Sequence, residues 1–377
     1  MALGKDSKIY VAGHRGLVGA AVWANLLSRG YCNLVGRSHG ELDLEDGAAV
    51  RRFFDEERPD AVVLAAAHVG GIMANSRYRA DFIMKNLRIQ CNVIGESYAH
   101  GVSKLLFLGS TCIYPKDAPQ PMAEDALLTS PLEYTNEPYA IAKIAGLKMC
   151  ESYNLQYGTD YVAVMPTNLY GPGDNFHLEN SHVLPSVMRK TLLAKWLGCG
   201  RWDLVSKDLE ARPVDGVDGT FGRDAVEKAL SRYGITAGKV ELWGTGKPMR
   251  EFMWSGDMAD ASVHVLLNVG FKDIACNRKD HSANSGGCVP DTLPREIRNC
   301  HINIGTGKET SIAALAGMVA KSVGFDGEVA FDAAKPDGTM RKLTDVSKLH
   351  SLGWRHKVEL EDGVGMLRDW YMESIGG

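Results

Sequence analysis

Two short stretches of the sequence combine side chains that could reduce a carbonyl group. Tyr139 and Lys143 are four residues apart, which places them on one face of a helix. An ammonium group beside a phenol stabilises the phenolate and lowers its pKa, so such a pair can exchange protons near neutral pH. Ser110 and Thr111 directly follow an apolar run, and either hydroxyl could hydrogen-bond the same substrate oxygen as Tyr139. Together these residues predict a carbonyl-reducing site.

A glycine-rich turn near the amino terminus could bind the phosphates of a dinucleotide. Three glycines at a spacing of three follow the first apolar run, namely Gly13, Gly16 and Gly19. Glycine permits the strained dihedrals of such a turn and lets a pyrophosphate approach the backbone, here near Leu17 and Val18 at the start of a helical pattern. The motif also occurs in ordinary turns, but its strand–turn–helix context favours dinucleotide binding.

The residues about 20 positions further on favour NADP over NAD. An NAD-preferring site has a carboxylate there, which binds the ribose 2′-hydroxyl and repels a 2′-phosphate. This chain has Arg37, Ser38 and His39 instead, and Arg15 lies in the glycine turn. The pocket can therefore be cationic, although a solvated basic turn would have the same composition. Asp43 lies where a carboxylate could accept a hydrogen bond from the adenine amino group.

The elements that must position these residues alternate in type. Short apolar runs predict strands at Ile9–Ala12, Leu34–Gly36, Ala61–Ala66, Leu105–Leu108 and Tyr161–Met165. Helical patterns lie between them at Leu17–Ser28, Gly47–Glu57, Arg79–His100 and Pro138–Tyr157. This alternation predicts an α/β fold with a Rossmann-type doubly wound parallel sheet. Open sheets of this kind bind ligands at the carboxyl ends of their strands, where both the glycine turn and Ser110 would lie.

Beyond Pro166 the pattern changes and predicts a smaller α/β substrate-binding domain. Helical segments at Val183–Leu197, Met258–Val269 and Ser311–Val323 are separated by loops rich in glycine and proline. We expect the first domain to cover residues 1–175, with a returning segment near 251–270, and the second to cover 176–250 and 271–377. Residues 198–238 are polar, with one helical stretch at Arg223–Tyr233, and they predict an insertion. Residues 270–299 predict a second polar, mobile stretch.

Composition excludes several classes of function. The 377 residues carry a net charge of -4, which provides no electrostatic footprint for nucleic acid or an anionic membrane. No apolar run approaches the roughly 20 residues that span a bilayer, and the first residues lack the layout of a signal peptide. Eight cysteines are too few for a disulfide scaffold. We therefore expect a cytoplasmic protein without a nucleic-acid or membrane partner.

A metal site is not expected either. Cys276, Cys288 and Cys300 recur at even spacing with His281 and His301 nearby. They lack the Cys-x2-Cys pair that structural zinc sites use.

The motifs together closely resemble the GDP-L-fucose synthase family, within the extended short-chain dehydrogenase/reductase superfamily. The matching stretches are Ala12–Gly19, Ala65–Ile72, Leu106–Pro115, Asn136–Gly146, Met165–Gly171, Asp174–Phe176, Ser181–Pro185, Pro248–Phe252 and Lys335–Leu343. They span nearly the whole chain outside the two polar stretches. The resemblance implies NADPH as the cofactor, a GDP-4-keto-6-deoxy sugar as the substrate and a homodimer in which the two long helices at 79–100 and 138–157 pack against their mates.

The activity that the resemblance implies has two steps on GDP-4-keto-6-deoxy-D-mannose, epimerisation at C3 and C5 and then reduction of the C4 ketone. The ketone acidifies the hydrogens on C3 and C5, so inversion needs one group that takes a proton and another that returns one on the opposite face. Cys112 and His182 match the acid–base pair of the family. A thiol and an imidazole have reference pKa values that suit this work near neutral pH.

The resemblance also assigns binding residues. On the cofactor side it implies Ala65, Tyr139, Lys143, Pro166, Asn168 and His182. On the substrate side it implies Ser110, Asn168, Lys190, Trp243, Arg250 and Lys342. Arg250 and Lys342 match the cations that receive the diphosphate, for which a guanidinium fork is well suited. Lys190 stands where the family commonly has arginine, which keeps the charge but not the fork.

Related activities remain open at this point. The closest alternative is a 4-reductase, with or without epimerisation, of a related GDP-4-keto-deoxy sugar such as a colitose or 6-deoxyheptose precursor. A 4,6-dehydratase would have Asp-Glu directly after the strand-end hydroxyl residue, where this chain has Cys112 and Ile113. A non-catalytic sensor of this fold would be expected to have lost Tyr139 or Lys143, and both are present.

Overall fold

Strands and helices alternate over the first 166 residues, as the sequence predicts. In chain order they are β1 (Ile9–Ala12), α1 (Leu17–Ser28), β2 (Leu34–Val35), α2 (Gly47–Glu57), β3 (Ala61–Leu64), α3 (Ile72–Arg77), α4 (Arg79–Ala99), β4 (Lys104–Leu108), α5 (Glu137–Tyr157) and β5 (Tyr161–Pro166). Short 3-10 turns occupy Thr111–Ile113 and Glu124–Ala126. The computed structural model describes residues 3–276, 297–335 and 337–376.

The rest of the chain contains shorter strands. It comprises β6 (Asn168–Tyr170), α6 (Val183–Gly198), α7 (Trp202–Ala211), α8 (Arg223–Ser231), β7 (Ile235–Thr236), β8 (Lys239–Trp243), β9 (Met249–Arg250), β10 (Phe252–Trp254), α9 (Ser255–Asn268), α10 (Phe271–Cys276), β11 (His301–Ile304), β12 (Thr310–Ser311), α11 (Ile312–Val323), β13 (Glu328–Asp332), β14 (Arg341–Lys342), α12 (Ser347–Ser351) and α13 (Leu360–Ser374).

The chain forms two compact units. Unit 1 comprises residues 1–167, 255–307 and 344–356, and unit 2 comprises 168–254, 308–343 and 357–377. The sequence places the first boundary at 175 and expects a single return near 251–270. In the structure the first return covers 255–307 and so includes β11, and a second return at 344–356 contains α12. Strand–helix alternation in the sequence is the signal that assigned strands to the first domain. This signal is missing at β11, because the strand follows a long polar stretch.

Unit 1 is a six-stranded parallel sheet in the order β11-β5-β4-β3-β1-β2. Its strands are buried along almost their whole length, as expected for a parallel sheet covered on both faces. Helix α1 packs with α9, whereas α4 packs with α2 and α5, so two layers of helices enclose the sheet. This is the doubly wound arrangement that the sequence predicts.

Unit 2 combines three small sheets with helices. The sheets are β10-β6, β12-β9-β14 and β13-β8-β7. Helix α6 packs on α7, α11, β7 and β8. The expectation that 198–238 carries one helix is wrong, since α7 and α8 both form there. Leu204, Val205 and Leu209 of α7 are buried in the core of unit 2. The helical pattern was missed because charged residues separate these apolar positions in the sequence.

Two predictions about the remaining chain have different outcomes. Residues 277–296, most of the predicted mobile stretch, lie outside the described residues. In the part of the chain that is described, none of the helices is both long enough and apolar enough to cross a bilayer.

The glycine turn is sterically restricted. Gly13 has a φ of +83°, and a Cβ on it would lie 2.8 Å from the backbone nitrogen of Ala66. A Cβ on Gly19 would lie 2.1 Å from the carbonyl oxygen of Gly13. At Gly16 the nearest atom would be 3.6 Å away, which is an ordinary contact. The first and third glycines are therefore required by packing.

We predict that Gly19→Ala destabilises the protein by about 1 to 3 kcal/mol because the new methyl group overlaps backbone atoms that cannot move independently. Gly16→Ala is the matched control and should cost less than about 1 kcal/mol, the effect of a poorer helix cap. Urea unfolding without added cofactor measures both. Equal losses for the two variants would contradict the steric explanation.

Candidate active site

Lys143 is buried between α5 and the end of β4. Its side chain is only 3% exposed, and Nζ donates a hydrogen bond of 2.8 Å to the carbonyl oxygen of Leu108. Nζ also lies 4.9 Å from the ring centroid of Phe107 and 5.8 Å from that of Tyr139. Burial lowers the pKa of Lys143 to about 7, because desolvation disfavours the charged form. The amine is therefore fixed in place and near its titration point at neutral pH.

Tyr139 lies in the first turn of α5, directly after Pro138. Its hydroxyl shares a hydrogen bond with Ser110, and the ring packs edge-on against Phe82 with the centroids 6.4 Å apart. Desolvation, followed by the negative charge of Cys112 as thiolate, raises the pKa of Tyr139, and the hydrogen bond to Ser110 opposes the shift. Tyr139 thus stays protonated near neutral pH.

The expectation that Lys143 lowers the pKa of Tyr139 is wrong, because that pKa is raised. Desolvation of the phenol dominates, and the amine of Lys143 is itself desolvated and so only partly charged at neutral pH. A protonated phenol is the form required to donate a proton to a carbonyl oxygen during reduction. The geometry therefore supports the acid function of the pair.

Ser110 and Cys112 lie in a turn and not in an extended segment. Ser110 is extended, with φ -164° and ψ 148°, and the backbone then forms a 3-10 turn over Thr111–Ile113. The hydroxyl oxygen of Ser110 accepts a hydrogen bond of 3.2 Å from the backbone N–H of Cys112 and so caps this turn. The side chains of Ser110 and Cys112 therefore do not project from the same side of an extended strand. Cys112 is a partly exposed cysteine.

A buried network that the sequence did not reveal holds the far end of this turn. The hydroxyl of Tyr114 donates to Oδ1 of Asn303 at 2.5 Å and lies 2.9 Å from Nε2 of His301. Asn303 donates in turn to the carbonyl oxygens of Met122 and Asp345, at 2.9 and 3.1 Å. Asn303 and His301 are on β11, about 190 positions from Tyr114, so no local sequence signal could have joined them.

The glycine turn ends at a helix that has open donors. Gly16 is the N-cap of α1, and it provides no side-chain oxygen for the first N–H groups of the helix. Such a helix start attracts an anion through its free N–H groups and the helix dipole. Ala65 lies directly beside this turn, with its N–H bonded to the carbonyl oxygen of Ala12 at 3.0 Å. Pro166 is the last residue of β5, which β4 and β3 separate from β1 in the sheet.

Ser38 and the arginines predicted to bind the 2′-phosphate lie around the carboxylate of Glu41, which was not predicted to belong to this site. Both the backbone N–H and the hydroxyl of Ser38 donate to Glu41, at 2.7 and 2.6 Å. These bonds, and then the charges of Arg15 and Arg37, lower the pKa of Glu41. Arg37 also pairs with Glu57 at 2.6 Å. The arginines are therefore close enough to act on one anionic group.

His39 and Asp43 lie further out. The side chain of His39 is 83% exposed, and its Nδ1 lies 3.8 Å from Oδ1 of Asp43. Asp43 also accepts a hydrogen bond of 2.9 Å from the backbone N–H of Glu45. A helix start without a side-chain cap, sterically required glycines and nearby arginines together fit the phosphates of a dinucleotide.

In unit 2, the two cations expected at the diphosphate are neighbours. Arg250 of β9 is in register with Lys342 of β14 in a parallel pair, which places their side chains on the same side of the sheet. Burial lowers the pKa of Arg250, and Asp337 partly offsets this effect. Asp337 is itself held by the N–H and hydroxyl of Thr245, at 2.8 and 2.7 Å.

Lys190 and Trp243 have contrasting environments. Lys190 is buried on α6, and burial lowers its pKa to about 8 while Glu241 opposes the shift. Trp243 ends β8 with 62% of its surface exposed, and Nζ of Lys335 lies 5.5 Å from its ring centroid. An exposed indole on a regular strand provides a flat apolar surface for stacking.

Asn168 and His182 each lie at the start of a secondary-structure element of unit 2. Asn168 is the first residue of β6, and Nδ2 donates to the carbonyl oxygen of Glu251 at 2.8 Å. His182 is the N-cap of α6, and desolvation lowers the pKa of its imidazole. Cys112 belongs to unit 1 and His182 to unit 2. Of the cysteine and histidine set considered for a metal, His281 and Cys288 lie outside the described residues.

Comparison with known proteins identifies the family. The sequence profile of the family described as NAD dependent epimerase/dehydratase matches residues 9–226. The chain belongs to the NAD dependent epimerase/dehydratase family. Within this family it is similar to GDP-L-fucose synthase 1 of Arabidopsis thaliana, at 47% identity over 98% of this chain and 95% of that one. It is also 47% identical to the GDP-L-fucose synthase of Escherichia coli (strain K12), over 97% of each chain. The resemblance predicted from the motifs is confirmed.

A solved structure of this epimerase/dehydratase family has the same fold. The GDP-mannoheptose C4 reductase MlghC from Campylobacter jejuni, solved with NADP bound, is 42% identical and has a TM-score of 0.83. The match covers 98% of this chain and 99% of that one. The predicted fold class is therefore confirmed, and NADP is the cofactor.

We predict that Lys143→Met stabilises the protein at pH 6 and that this advantage shrinks at higher pH. In the unfolded chain Lys143 keeps its proton up to about pH 10.4, whereas the folded chain releases it near pH 7. Since the unfolded state binds more protons between these values, the stability of the parent rises with pH there, by up to about 1.4 kcal/mol per pH unit.

Urea unfolding of parent and variant from pH 6 to 10 measures this difference. Lys148→Met is the control, because Lys148 is partly exposed in an ion pair with Glu151, and it should show no comparable trend. A pH-independent difference between Lys143→Met and the parent would refute the assignment of a buried amine that titrates near neutrality.

Proposed function

We propose that this protein converts GDP-4-keto-6-deoxy-D-mannose to GDP-L-fucose, by epimerisation at C3 and C5 followed by NADPH-dependent reduction of the C4 ketone. The observation that carries the proposal is the grouping of Ser110, Cys112, Tyr139 and Lys143 at one strand end. A proton donor for the ketone oxygen and a thiol for the neighbouring carbons then act on the same sugar. Unit 1 is the NADP-binding domain and unit 2 the GDP-sugar-binding domain.

The reductive step uses the hydroxyl groups of Ser110 and Tyr139. Both bind the C4 oxygen, and Tyr139 donates its proton as the C4–O bond gains negative charge. Bound NADPH supplies the hydride that C4 receives. Lys143, held by the carbonyl oxygen of Leu108, fixes the first turn of α5 and returns a proton to Tyr139.

The epimerisation step uses Cys112 and His182. One removes a proton from C3 or C5, which leaves an enolate that the C4 oxygen carries, and the other returns a proton on the opposite face. The hydroxyl of Ser110, which also binds this oxygen during the reduction, stabilises the negative charge on it. Desolvation lowers the pKa of His182, so its imidazole is mostly neutral at pH 7 and can act as a base.

Recognition of the nucleotide is the task of unit 2. Arg250 and Lys342 bind the diphosphate from adjacent strands, and the buried Lys190 adds a third cation. The exposed indole of Trp243 stacks on the guanine, which aromatic side chains do favourably with any base. Asn168 binds the sugar and the nicotinamide side of the cofactor.

A second candidate is reduction of a related GDP-4-keto-deoxy sugar, with or without epimerisation. The similarity to a GDP-mannoheptose C4 reductase favours it. Both candidates use the reductive residues in the same way and differ in the sugar and in the use of Cys112 and His182.

The product decides between them. Incubation with GDP-4-keto-6-deoxy-D-mannose and NADPH, followed by NMR of the nucleotide sugar, should show GDP-L-fucose as the main product. Oxidation of NADPH with an unepimerised 6-deoxy sugar as the only product would assign the chain to the simple reductases.

We also propose a homodimer built from α4 and α5 and a cytoplasmic location. These helices expose apolar side chains outside their own core, namely Met84, Tyr98, Ile141, Leu155 and Tyr157. Phe82 and Ile144 of the same helices are buried inside unit 1 and are excluded from this face. The six cysteines whose side chains are described are all free thiols, as suits a reducing compartment.

We predict a dimer in sedimentation at micromolar concentration and a monomer for Cys91→Glu. Cys91 is exposed in the middle of α4, with its sulfur 3.9 Å from that of Met149 on α5, so a carboxylate there would be desolvated at the centre of the contact. Cys32→Glu, at an exposed cysteine outside these helices, is the matched control and should remain dimeric. A monomeric parent, or a dimeric Cys91→Glu, would contradict the assignment.

We predict that Cys112→Ser still reduces the C4 ketone but forms little GDP-L-fucose. A serine hydroxyl has nearly the volume of the thiol but is far too weak an acid to serve as the base near neutral pH. The measurement is the ratio of unepimerised 6-deoxy sugar to GDP-L-fucose by NMR, which should rise by at least about 100-fold. If GDP-L-fucose forms at close to the parent rate, Cys112 is a packing residue.

A further inference from the structure

Arg189 is a buried cation for which the proposed mechanism provides no role. It lies on α6 with 1% of its surface exposed. Its Nε and Nη2 donate to Oδ2 of Asp208 on α7, at 3.0 and 2.8 Å. Nη1 donates to the carbonyl oxygen of Phe176 at 3.1 Å, and Nη2 also donates to that of Arg212. The guanidinium thus joins three separate parts of unit 2.

The bond to Phe176 fixes the segment that carries His182. Because Arg189 lies about two helical turns beyond His182, this bond closes a loop from 176 to 189 with His182 near its middle. The loop is also tied internally, since Nδ1 of His177 accepts hydrogen bonds from the backbone N–H groups of Glu179 and Asn180, at 3.2 and 3.3 Å. A shift of Phe176 would therefore carry His182 with it.

Asp208 is the counter-charge that makes this arrangement stable. A guanidinium removed from water is costly unless it is paired and hydrogen-bonded. Oδ2 of Asp208 receives the guanidinium, and Oδ1 accepts a hydrogen bond from the hydroxyl of Tyr371 on α13. The ring of Tyr371 packs against that of Phe176, with centroids 4.6 Å apart. The same acidic residue thus connects α7, α6, α13 and the loop.

We infer that Arg189 and Asp208 are positioning residues for His182, and that the polar segment 198–238, through α7, sets the geometry of the epimerisation step. The inference rests on the proposed function, because it concerns the proton transfer assigned to His182. A segment that the sequence presents as a surface insertion therefore supplies the charge that holds a reacting group in place.

The test is the product ratio of Asp208→Asn. Loss of the counter-charge should displace the loop and slow epimerisation, while the reductive residues of unit 1 are untouched. The ratio of unepimerised 6-deoxy sugar to GDP-L-fucose should rise by about tenfold or more, since misplacement of a reacting group by an ångström can cost up to about 100-fold in rate. A merely structural role would lower the amount of active enzyme and leave this ratio unchanged.

Asp203→Asn is the matched control, because Asp203 lies on the same helix in an exposed pair with Arg201 and should leave the ratio at the parent value. Should Asp208→Asn not fold, the double variant Arg189→Met with Asp208→Leu removes both charges together and still removes the bond to Phe176. It should raise the ratio as well.

A folded variant with the parent ratio would overturn the inference while leaving the proposed function intact. Absence of GDP-L-fucose from the parent reaction would instead refute the proposed function.

Discussion

The close approach of α5 to β4 is the constraint on which the reactive group of unit 1 depends. A Cβ on Gly146 would lie 2.4 Å from the ring of Phe107, so only glycine lets the helix lie this close to the strand. At this distance Lys143 reaches the carbonyl oxygen of Leu108, and Tyr139, one turn earlier, reaches the hydroxyl of Ser110. Desolvation at the same contact shifts the pKa of both side chains, so packing sets geometry and protonation together.

Each unit contains positively charged groups that suit a different anionic ligand. Unit 1 contributes the helix start and arginines that suit an anionic dinucleotide, together with the residues to which we assign proton exchange with the ketone. Unit 2 contributes cations held on adjacent strands and the segment 176–189, which the bond from Arg189 to Phe176 closes around His182. Lys143 in unit 1 and Arg189 in unit 2 are both almost completely buried and hydrogen-bonded.

Local signals in the sequence predicted much of unit 1 and less of unit 2. The bounds of α1 and α2 follow from a glycine turn and from the N-cap Asp46, both of which act within a few residues. Helix α7 was not predicted, because charged residues separate its few apolar positions. The Tyr114–Asn303 bond and the return of β11 to the sheet involve distant positions, and the shifts at Tyr139 and Lys143 depend on burial. Spacing shows which residues could react, whereas their protonation depends on the packing of the whole unit.

In the proposed mechanism the residues that follow β4 take part in two separable reactions. Tyr139 is required for reduction, whereas Cys112 acts together with His182 in epimerisation. Deuterium incorporation into the substrate tests this separation most directly. In heavy water with NADPH, Tyr139→Phe should exchange the C3 and C5 hydrogens of GDP-4-keto-6-deoxy-D-mannose, detected by NMR, while NADPH oxidation falls by at least about 100-fold. Loss of both exchange and reduction in a variant that still binds the substrate would contradict this account, because Tyr139 would then also perform the epimerisation.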